Sequence, residues 1–191
     1  RPQMVSDLQG WFPDEREEMA AAGMGFAYTL TSHGRPLRAL TEDDRRRLKA
    51  RWYDPYAAAL ESLVTEMQDR FGRCVIIDLH SYPPRPLPYE LRPGALRPEI
   101  CLGTDDFHTP ESLAALVEEL CRDLGLECVR NTPFAGCYVP LSRYRQDRSV
   151  GAVMLEVRRD VYLDEEAGTP TPGEERVRRL IAAVVEAAIA G

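Results

Sequence analysis

The hydrophobic positions along the chain follow helical spacing in some segments and form short apolar runs in others. Helical spacing, together with residues that start and stop helices, predicts helices over 13–23, 41–70, 109–124 and 174–190. Pro55 falls inside the longest of these helices and is expected to kink or restart it. Apolar runs predict strands at 26–31, 74–77, 99–102, 127–130 and 152–157. Strands that alternate with helices predict an α/β sandwich with a largely parallel sheet.

Composition places the chain among globular proteins. Its 191 residues are 44% hydrophobic and 29% charged, which allows a core and excludes a disordered chain, a collagen or a coiled-coil rod. We expect one domain over residues 1–191. Because the first residue is Arg1 rather than Met, and residues 1–9 show no clear periodicity, we also expect further N-terminal residues before this point.

Charge and hydropathy argue against two kinds of partner. The net charge of −7 is unlike that of a nucleic-acid binder, which would carry a basic face. No apolar run approaches the length of a membrane span, and no basic segment leads into an apolar one as in a signal peptide. We therefore expect neither a nucleic acid nor a membrane as a partner. No sequence pattern indicates an oligomeric state.

The five cysteines indicate a reducing environment. Their number is odd, and no pair has the Cys-x-x-Cys spacing of a zinc ribbon or a redox motif. Cys74 and Cys128 lie in apolar, strand-like runs. The cysteines are therefore interpreted as free thiols of a cytoplasmic protein.

Polar residues follow a buried-type strand in the segment Val75-Ile-Ile-Asp78-Leu-His80-Ser81, which then enters a proline-rich loop over 82–98. In open α/β sheets, ligands bind outside the carboxyl ends of the strands. Asp78 and His80 share parity, so both side chains are expected on one side of an extended segment. A functional histidine and a histidine held by a backbone carbonyl at a strand end both fit this pattern.

A glutamate interrupts the apolar strand predicted at 152–157. Residues of alternate parity separate into two faces, with Val153, Leu155 and Val157 on one and Met154, Glu156 and Arg158 on the other. A buried carboxylate costs free energy unless it is paired or used. Three interpretations remain open: a structural Glu156–Arg158 ion pair, an edge strand with a wet face, or a general base beside an anion-binding group.

Three further polar residues are weaker candidates. Asn131 begins the loop 131–136 at the end of a predicted strand, where either a plain turn or a site residue is consistent with the sequence. His33 lies in a predicted turn, so we expect a surface position. His108 precedes a helix and is interpreted as a neighbour of its N-terminal cap. No His-x-x-x-His pair occurs, so the sequence shows no metal motif of that spacing.

Six segments, taken in chain order, carry a family resemblance. They are Asp14-Glu-Arg-Glu-Glu-Met-Ala-Ala-Ala-Gly-Met-Gly, Gly34-Arg-Pro-Leu-Arg38, Ile77-Asp-Leu-His-Ser-Tyr-Pro83, Ile100-Cys-Leu-Gly-Thr-Asp105, Asn131-Thr-Pro-Phe-Ala-Gly136 and Leu155-Glu-Val-Arg-Arg-Asp-Val-Tyr-Leu-Asp-Glu165. This ordered set resembles the N-formylglutamate amidohydrolase family and covers most of the chain from Asp14 onward.

The resemblance implies a fold and a set of site residues. The fold would be zinc carboxypeptidase-like, a three-layer sandwich with a mixed sheet between helices. The implied roles are zinc ligand for His80, catalytic base for Glu156, and substrate binding for Arg158 and Asn131, with Arg35 and Arg38 as further candidates for the substrate carboxylate. Family members also carry a Pro-His-Ser segment with another metal ligand. No such segment precedes Met4 here, so we expect the remaining ligands outside this chain.

The predicted function is zinc-dependent hydrolysis of an N-acylated acidic amino acid in amino-acid catabolism. The type substrate is N-formyl-L-glutamate, which would give formate and glutamate. Zinc would polarise the scissile carbonyl and lower the pKa of its bound water. Glu156 would take the proton of that water and pass it to the leaving amine. The alternatives are a non-catalytic small-molecule-binding domain with a degenerate metal site, and an enzyme of the same fold acting on a peptide or another acyl-amino acid.

Overall fold

A computed structural model describes residues 18–190, and the chain divides into two compact units. The first unit contains residues up to Glu66 together with Pro86–Pro93. The second contains Met67–Arg85 and the chain from Gly94 onward. None of the helices within residues 18–190 has the length and apolar character needed to cross a bilayer.

The helices of the first unit follow the predicted pattern with one local change. Of the helix predicted over 13–23, residues 13–17 lie outside the described residues, and the described part is a 3₁₀ helix, Glu18–Ala22. The helix predicted over 41–70 is divided into α1 (Glu42–Leu48), a π-helical segment (Lys49–Tyr53) and α2 (Asp54–Phe71). The wider π turn immediately precedes Pro55. It accommodates the proline ring, which would otherwise collide with a carbonyl of the preceding turn.

Thr41 caps the start of α1, as the sequence predicts. Its hydroxyl accepts a hydrogen bond from the Asp44 N–H at 3.1 Å, and the Asp44 carboxylate accepts one from the Thr41 N–H at 3.0 Å. This reciprocal pair satisfies backbone donors that a helix start leaves without partners.

The prediction of a strand at 26–31 is wrong, because this segment forms no strand in the structure. Among the described residues, its only sheet-like pairing is a single bridge between Leu30 and Pro36. The N–H groups of Thr29 and Leu30 both donate to the carbonyl of Gly23, at 2.8 and 3.2 Å, so neither is available to a β-ladder.

The apolar character of this segment has a different cause. Phe26 and Ala27 are buried with Tyr53 in the core of the first unit. The rings of Phe26 and Tyr53 meet edge to face with their centroids 5.8 Å apart.

The second unit contains a four-stranded sheet. Its main elements are β1 (Cys74–Tyr82), β2 (Ile100–Gly103), α3 (Glu111–Asp123), β3 (Cys128–Arg130), β4 (Val150–Arg158) and α4 (Glu174–Ala190). A short hairpin, β5 (Leu163–Asp164) and β6 (Thr169–Pro170), precedes α4. The strand order is β1-β4-β2-β3. The pairs β1–β4 and β2–β3 are parallel, and β2–β4 is antiparallel, so the sheet is mixed and largely parallel, as predicted.

One face of the sheet carries the hydrophobic core of this unit. Leu102, Val153 and Leu155 are fully buried there, in one cluster with Val117 of α3 and Leu180 of α4. Alternate residues of β4 therefore point away from this core, among them Glu156.

β1 differs from the predicted strand in its length and in the burial of its residues. The prediction is a short strand buried on both faces, but β1 continues through Asp78 and His80 to Tyr82, and its first four residues are only half-buried. The proline-rich segment that follows is irregular up to β2, as expected.

The loop after β2 continues the sheet beside the first half of β4. The Ala152 N–H donates to the His108 carbonyl at 2.8 Å, and the Thr109 hydroxyl donates to the Ala152 carbonyl at 2.7 Å. The buried His108 ring accepts the Arg145 N–H at Nε2, 2.7 Å away, so its Nδ1–H donates to the Val150 carbonyl at 2.8 Å. His108 is thus a structural residue that ties three segments together.

We predict that His108→Ala destabilises the protein. The substitution leaves the buried Val150 carbonyl without its side-chain partner, at a cost of about 1–3 kcal/mol, and also removes the acceptor of the Arg145 N–H. Urea unfolding measures the change. His33→Ala, at an exposed turn residue, is the matched control and should change the free energy of unfolding by less than about 0.5 kcal/mol. Equal stability of the two variants would contradict the structural role.

Candidate active site

Three side chains form a row across the sheet. The register pairs His80 of β1 with Glu156 of β4, and Glu156 with Cys101 of β2. Paired residues point to the same face, which here is the face opposite the α3/α4 core. Adjacent strands lie about 4.8 Å apart. His80 and Glu156 are therefore direct neighbours on this face.

His80 is half-exposed and is oriented by a buried carboxylate. Its Nε2 lies 2.9 Å from Oδ1 of Asp78, two residues earlier on the same strand and face. Asp78 is 8% exposed, whereas the His80 side chain is 36% exposed. The shared side predicted from parity is confirmed, and the contact fixes one edge of the imidazole ring. Whether His80 binds a metal stays a prediction.

Glu156 lies in the buried centre of the sheet, with 9% of its surface exposed. Its neighbour Cys101 is fully buried and donates its S–H to the carbonyl of Phe134 at 3.1 Å. Burial raises the pKa of Cys101 to about 11, so this thiol stays protonated beside the carboxylate at neutral pH. Glu156 is thus largely shielded from solvent.

Arg158 lies two residues beyond Glu156 on the same face, opposite Tyr82. Its Nε donates to the Asp160 carboxylate at 2.7 Å, and its Nη1 donates to the carbonyl of Arg97. Burial lowers the pKa of Arg158, but the hydrogen bond to Asp160 and the charges of Asp160, Tyr82 and Glu99 together raise it. The guanidinium is thus a fixed cation at the end of β4.

The two ends of the proline-rich loop are fastened beside this cation. The Tyr82 hydroxyl donates to the carbonyl of Pro98, and the Arg97 guanidinium donates to the carbonyl of Pro83, from Nε at 3.2 Å and Nη2 at 2.5 Å. The Arg97 guanidinium also lies over the Tyr82 ring, 5.0 Å from its centroid. These contacts hold the loop ends next to the His80–Glu156 row.

Asn131 joins two loops at the end of β3. Its Oδ1 accepts the N–H groups of Thr104 and Gly136 at 2.9 and 3.2 Å, and its Nδ2 donates to the Thr104 hydroxyl at 2.7 Å. With φ at 51°, Asn131 adopts the left-handed conformation that asparagine tolerates better than most residues. These contacts give Asn131 a positioning role in the two loops, and its contact with substrate stays a prediction.

Arg35 and Arg38 belong to the first unit. Arg35 is exposed, and the Arg38 Nε donates to the carbonyl of Tyr28 at 2.9 Å. Burial and the nearby Arg45 lower the pKa of Arg38. Their predicted contact with a substrate carboxylate stays a prediction.

The described residues do not by themselves fit a zinc ion. Within residues 18–190 no group of three or more His, Cys, Asp and Glu side chains is arranged to hold a metal. His80 is the one predicted ligand, and its Nε2 faces Asp78. A complete zinc site would need ligands from outside the described part of the chain.

Two residues of this site, Cys101 and Gly103, were not predicted from the sequence. Cys101 appears there only as a member of an apolar run, and its place beside Glu156 depends on the antiparallel register. Gly103 permits a close approach, since a Cβ on it would meet the Gly136 carbonyl oxygen at 2.1 Å. A glycine inside a strand is a usable signal for such an approach.

Comparison with known proteins decides the family. The family model described as N-formylglutamate amidohydrolase matches residues 1–163. The chain belongs to the N-formylglutamate amidohydrolase family. The resemblance carried by the six sequence segments is thereby confirmed.

Relatives within and near the family agree with this assignment. An N-formylglutamate deformylase from Pseudomonas aeruginosa is 28% identical over 160 residues, which cover 81% of this chain and 59% of that protein. The chain thus spans only 59% of the length of this curated relative. The crystal structure of N-formylglutamate amidohydrolase from Ralstonia eutropha JMP134 is similar, with a TM-score of 0.74 and 25% identity over 97% of this chain and 72% of that one.

A second solved structure supports the fold alone. The gene product Atu2144 from Agrobacterium tumefaciens has a TM-score of 0.65 and 18% identity, covering 98% of this chain and 68% of that one.

Proposed function

We propose that the protein hydrolyses the amide bond of an N-acylated acidic amino acid, with N-formyl-L-glutamate as the type substrate and formate and glutamate as products. The observation that carries the proposal is the pairing of His80 with Glu156 on the polar face of the sheet, in a chain of this family. The names of the relatives from Pseudomonas and Ralstonia support this substrate. We also propose the zinc carboxypeptidase-like, three-layer form of the α/β fold.

Glu156 is the proposed general base. Water adds to the acyl carbon while the Glu156 carboxylate accepts the proton of that water, and the same proton then passes to the departing amine nitrogen. The C–N bond breaks, and the acyl group leaves as formate. The burial of Glu156 supports this role, because a carboxylate held in a preorganised, water-poor site needs little rearrangement to react.

Arg158 is the proposed partner of the substrate carboxylate. It lies two residues from Glu156 on one face, which is about 7 Å along a strand. That distance suits a substrate whose amide lies at the base while its carboxylate reaches the cation. A guanidinium can bind a carboxylate through two parallel hydrogen bonds. Asn131, Arg35 and Arg38 remain further candidates for substrate binding.

Zinc dependence is a separate proposal. It rests on the family resemblance, with His80 as one ligand and the remaining ligands outside residues 18–190. Asp78 supports it, since metal-binding histidines commonly give their second ring nitrogen to a carboxylate. In this structure that carboxylate faces Nε2, which leaves Nδ1 as the nitrogen for a metal.

We predict that Glu156→Gln abolishes hydrolysis without unfolding the protein. The amide keeps the shape of the side chain but cannot accept the proton, so the rate should fall by about 10²–10⁴-fold. Release of formate from N-formyl-L-glutamate measures the rate, and circular dichroism checks the fold. Glu119→Gln makes the same chemical change at an exposed position of α3 and should keep the wild-type rate.

The outcomes of this experiment distinguish the hypotheses. A folded Glu156→Gln variant with the wild-type rate would remove Glu156 from the mechanism. An unfolded variant would support a structural role for this carboxylate. A wild-type protein that binds N-acyl amino acids but hydrolyses none would favour the non-catalytic binding domain. Hydrolysis of a peptide or of another acyl-amino acid alone would revise the substrate.

We predict that His80→Ala lowers the zinc content of the purified full-length protein from one equivalent to none. The loss of one imidazole ligand weakens a tetrahedral site strongly. Metal analysis by mass spectrometry measures this, with His33→Ala as the control that keeps its zinc. Equal zinc in wild type and His80→Ala would exclude His80 as a ligand while leaving the proposed role of Glu156 intact.

A further inference from the structure

Two aromatic rings lie on the same face of the sheet as Glu156 and Arg158. Tyr82 shares the parity of His80 in β1 and pairs with Arg158, so its ring lies on this face. The rings of Tyr82 and Phe134 meet edge to face, with their centroids 5.6 Å apart and their planes at 79°. This contact places the Phe134 ring on the face that carries the candidate active site.

The backbone of Phe134 lies over β2, beside Glu156. The Phe134 carbonyl accepts the S–H of Cys101 at 3.1 Å, and Cys101 is the residue that pairs with Glu156. The same loop contacts the sheet at Gly103, where a Cβ would meet the Gly136 carbonyl oxygen at 2.1 Å. The Phe134 side chain therefore begins level with Glu156 along the strands.

The Tyr82 ring crosses β4 at the level of Arg158. Its hydroxyl donates to the carbonyl of Pro98, on the far side of β4 from β1. Pro98 immediately precedes Glu99, whose carbonyl accepts the Arg158 N–H on the β2 side of β4. The contact between the two rings thus lies over β4, between the level of Glu156 and the level of Arg158.

Phe134 is the member of this pair that a bound molecule can reach. Tyr82 is 2% exposed, whereas Phe134 is half-buried. Asn131 holds the Phe134 loop in place, because its Oδ1 accepts the N–H groups of Thr104 and Gly136. The ring of Phe134 is therefore a fixed apolar surface beside the proposed site.

We propose that the Phe134 ring selects the length of the amino-acid side chain in the substrate. This inference rests on the proposed function, in which the amide of N-formyl-L-glutamate lies at Glu156 and its distal carboxylate at Arg158. The two side-chain methylene groups between the amide and the carboxylate then lie against the Phe134 ring. Burial of one methylene group strengthens binding about fourfold. N-formyl-L-aspartate has one methylene group fewer, so it gains less from this contact.

The experiment compares kcat/KM of the full-length wild type and Phe134→Ala with N-formyl-L-glutamate and N-formyl-L-aspartate. The loss of contact with two methylene groups should lower kcat/KM for N-formyl-L-glutamate about 15-fold. The preference for N-formyl-L-glutamate over N-formyl-L-aspartate should fall about fourfold. The change should appear in KM, with kcat nearly unchanged, because Phe134 contacts the substrate and takes no part in proton transfer.

Further variants separate a substrate contact from damage to the fold. Phe134→Leu keeps an apolar side chain and should retain most of the preference for N-formyl-L-glutamate. Phe71→Ala removes an exposed phenylalanine at the end of α2 and should leave kcat/KM unchanged for both substrates. If circular dichroism shows that Phe134→Ala does not fold, Phe134→Val replaces it and should lower the preference in the same direction.

The outcomes separate this inference from the proposed function. Wild-type hydrolysis with the same substrate preference in Phe134→Ala, or an equal loss of kcat/KM for both substrates, would overturn the role of Phe134 alone. A wild-type protein that hydrolyses neither compound would overturn the proposed function. Calorimetric binding of N-formyl-L-glutamate that Phe134→Ala weakens about 15-fold would then still support the contact, and unchanged or absent binding would overturn it.

Discussion

The parallel pairing of β1 with β4 is the constraint on which the candidate site depends. It sets His80 beside Glu156, and the antiparallel pairing with β2 adds Cys101 to the same row. A slip of one residue in β4 would turn Glu156 into the apolar core and expose Leu155 in its place. That exchange would bury an uncompensated carboxylate, so the core against α3 and α4 enforces the same register that assembles the site.

Much of this arrangement could be predicted from residue patterns. The final helix matches its predicted bounds, and the strands of the sheet fall within a few residues of theirs, because apolar runs and capping residues act locally. Because side chains alternate in any extended segment, parity predicts that Asp78 and His80 lie on the same side of β1. In the same way, parity predicts that Glu156 lies on the side of β4 opposite Val153, Leu155 and Val157.

The remaining features depend on contacts that a single sequence does not encode. Phe26 and Ala27 have the pattern of a strand but are buried in a turn-rich segment whose N–H groups bond to Gly23. The role of His108 depends on Arg145 and Val150, which lie about forty residues further along the chain. Such residues acquire their partners only through folding, and tertiary contacts then override local preference.

The proposed function depends on hydrolysis taking place at the His80–Glu156 pair. The most direct measurement is a crystal structure of the full-length Glu156→Gln variant soaked with N-formyl-L-glutamate. We expect the formyl carbon between the side chains at positions 80 and 156, with the distal carboxylate of the substrate toward Arg158. Substrate bound elsewhere on the protein, with this face of the sheet empty, would contradict the proposed site.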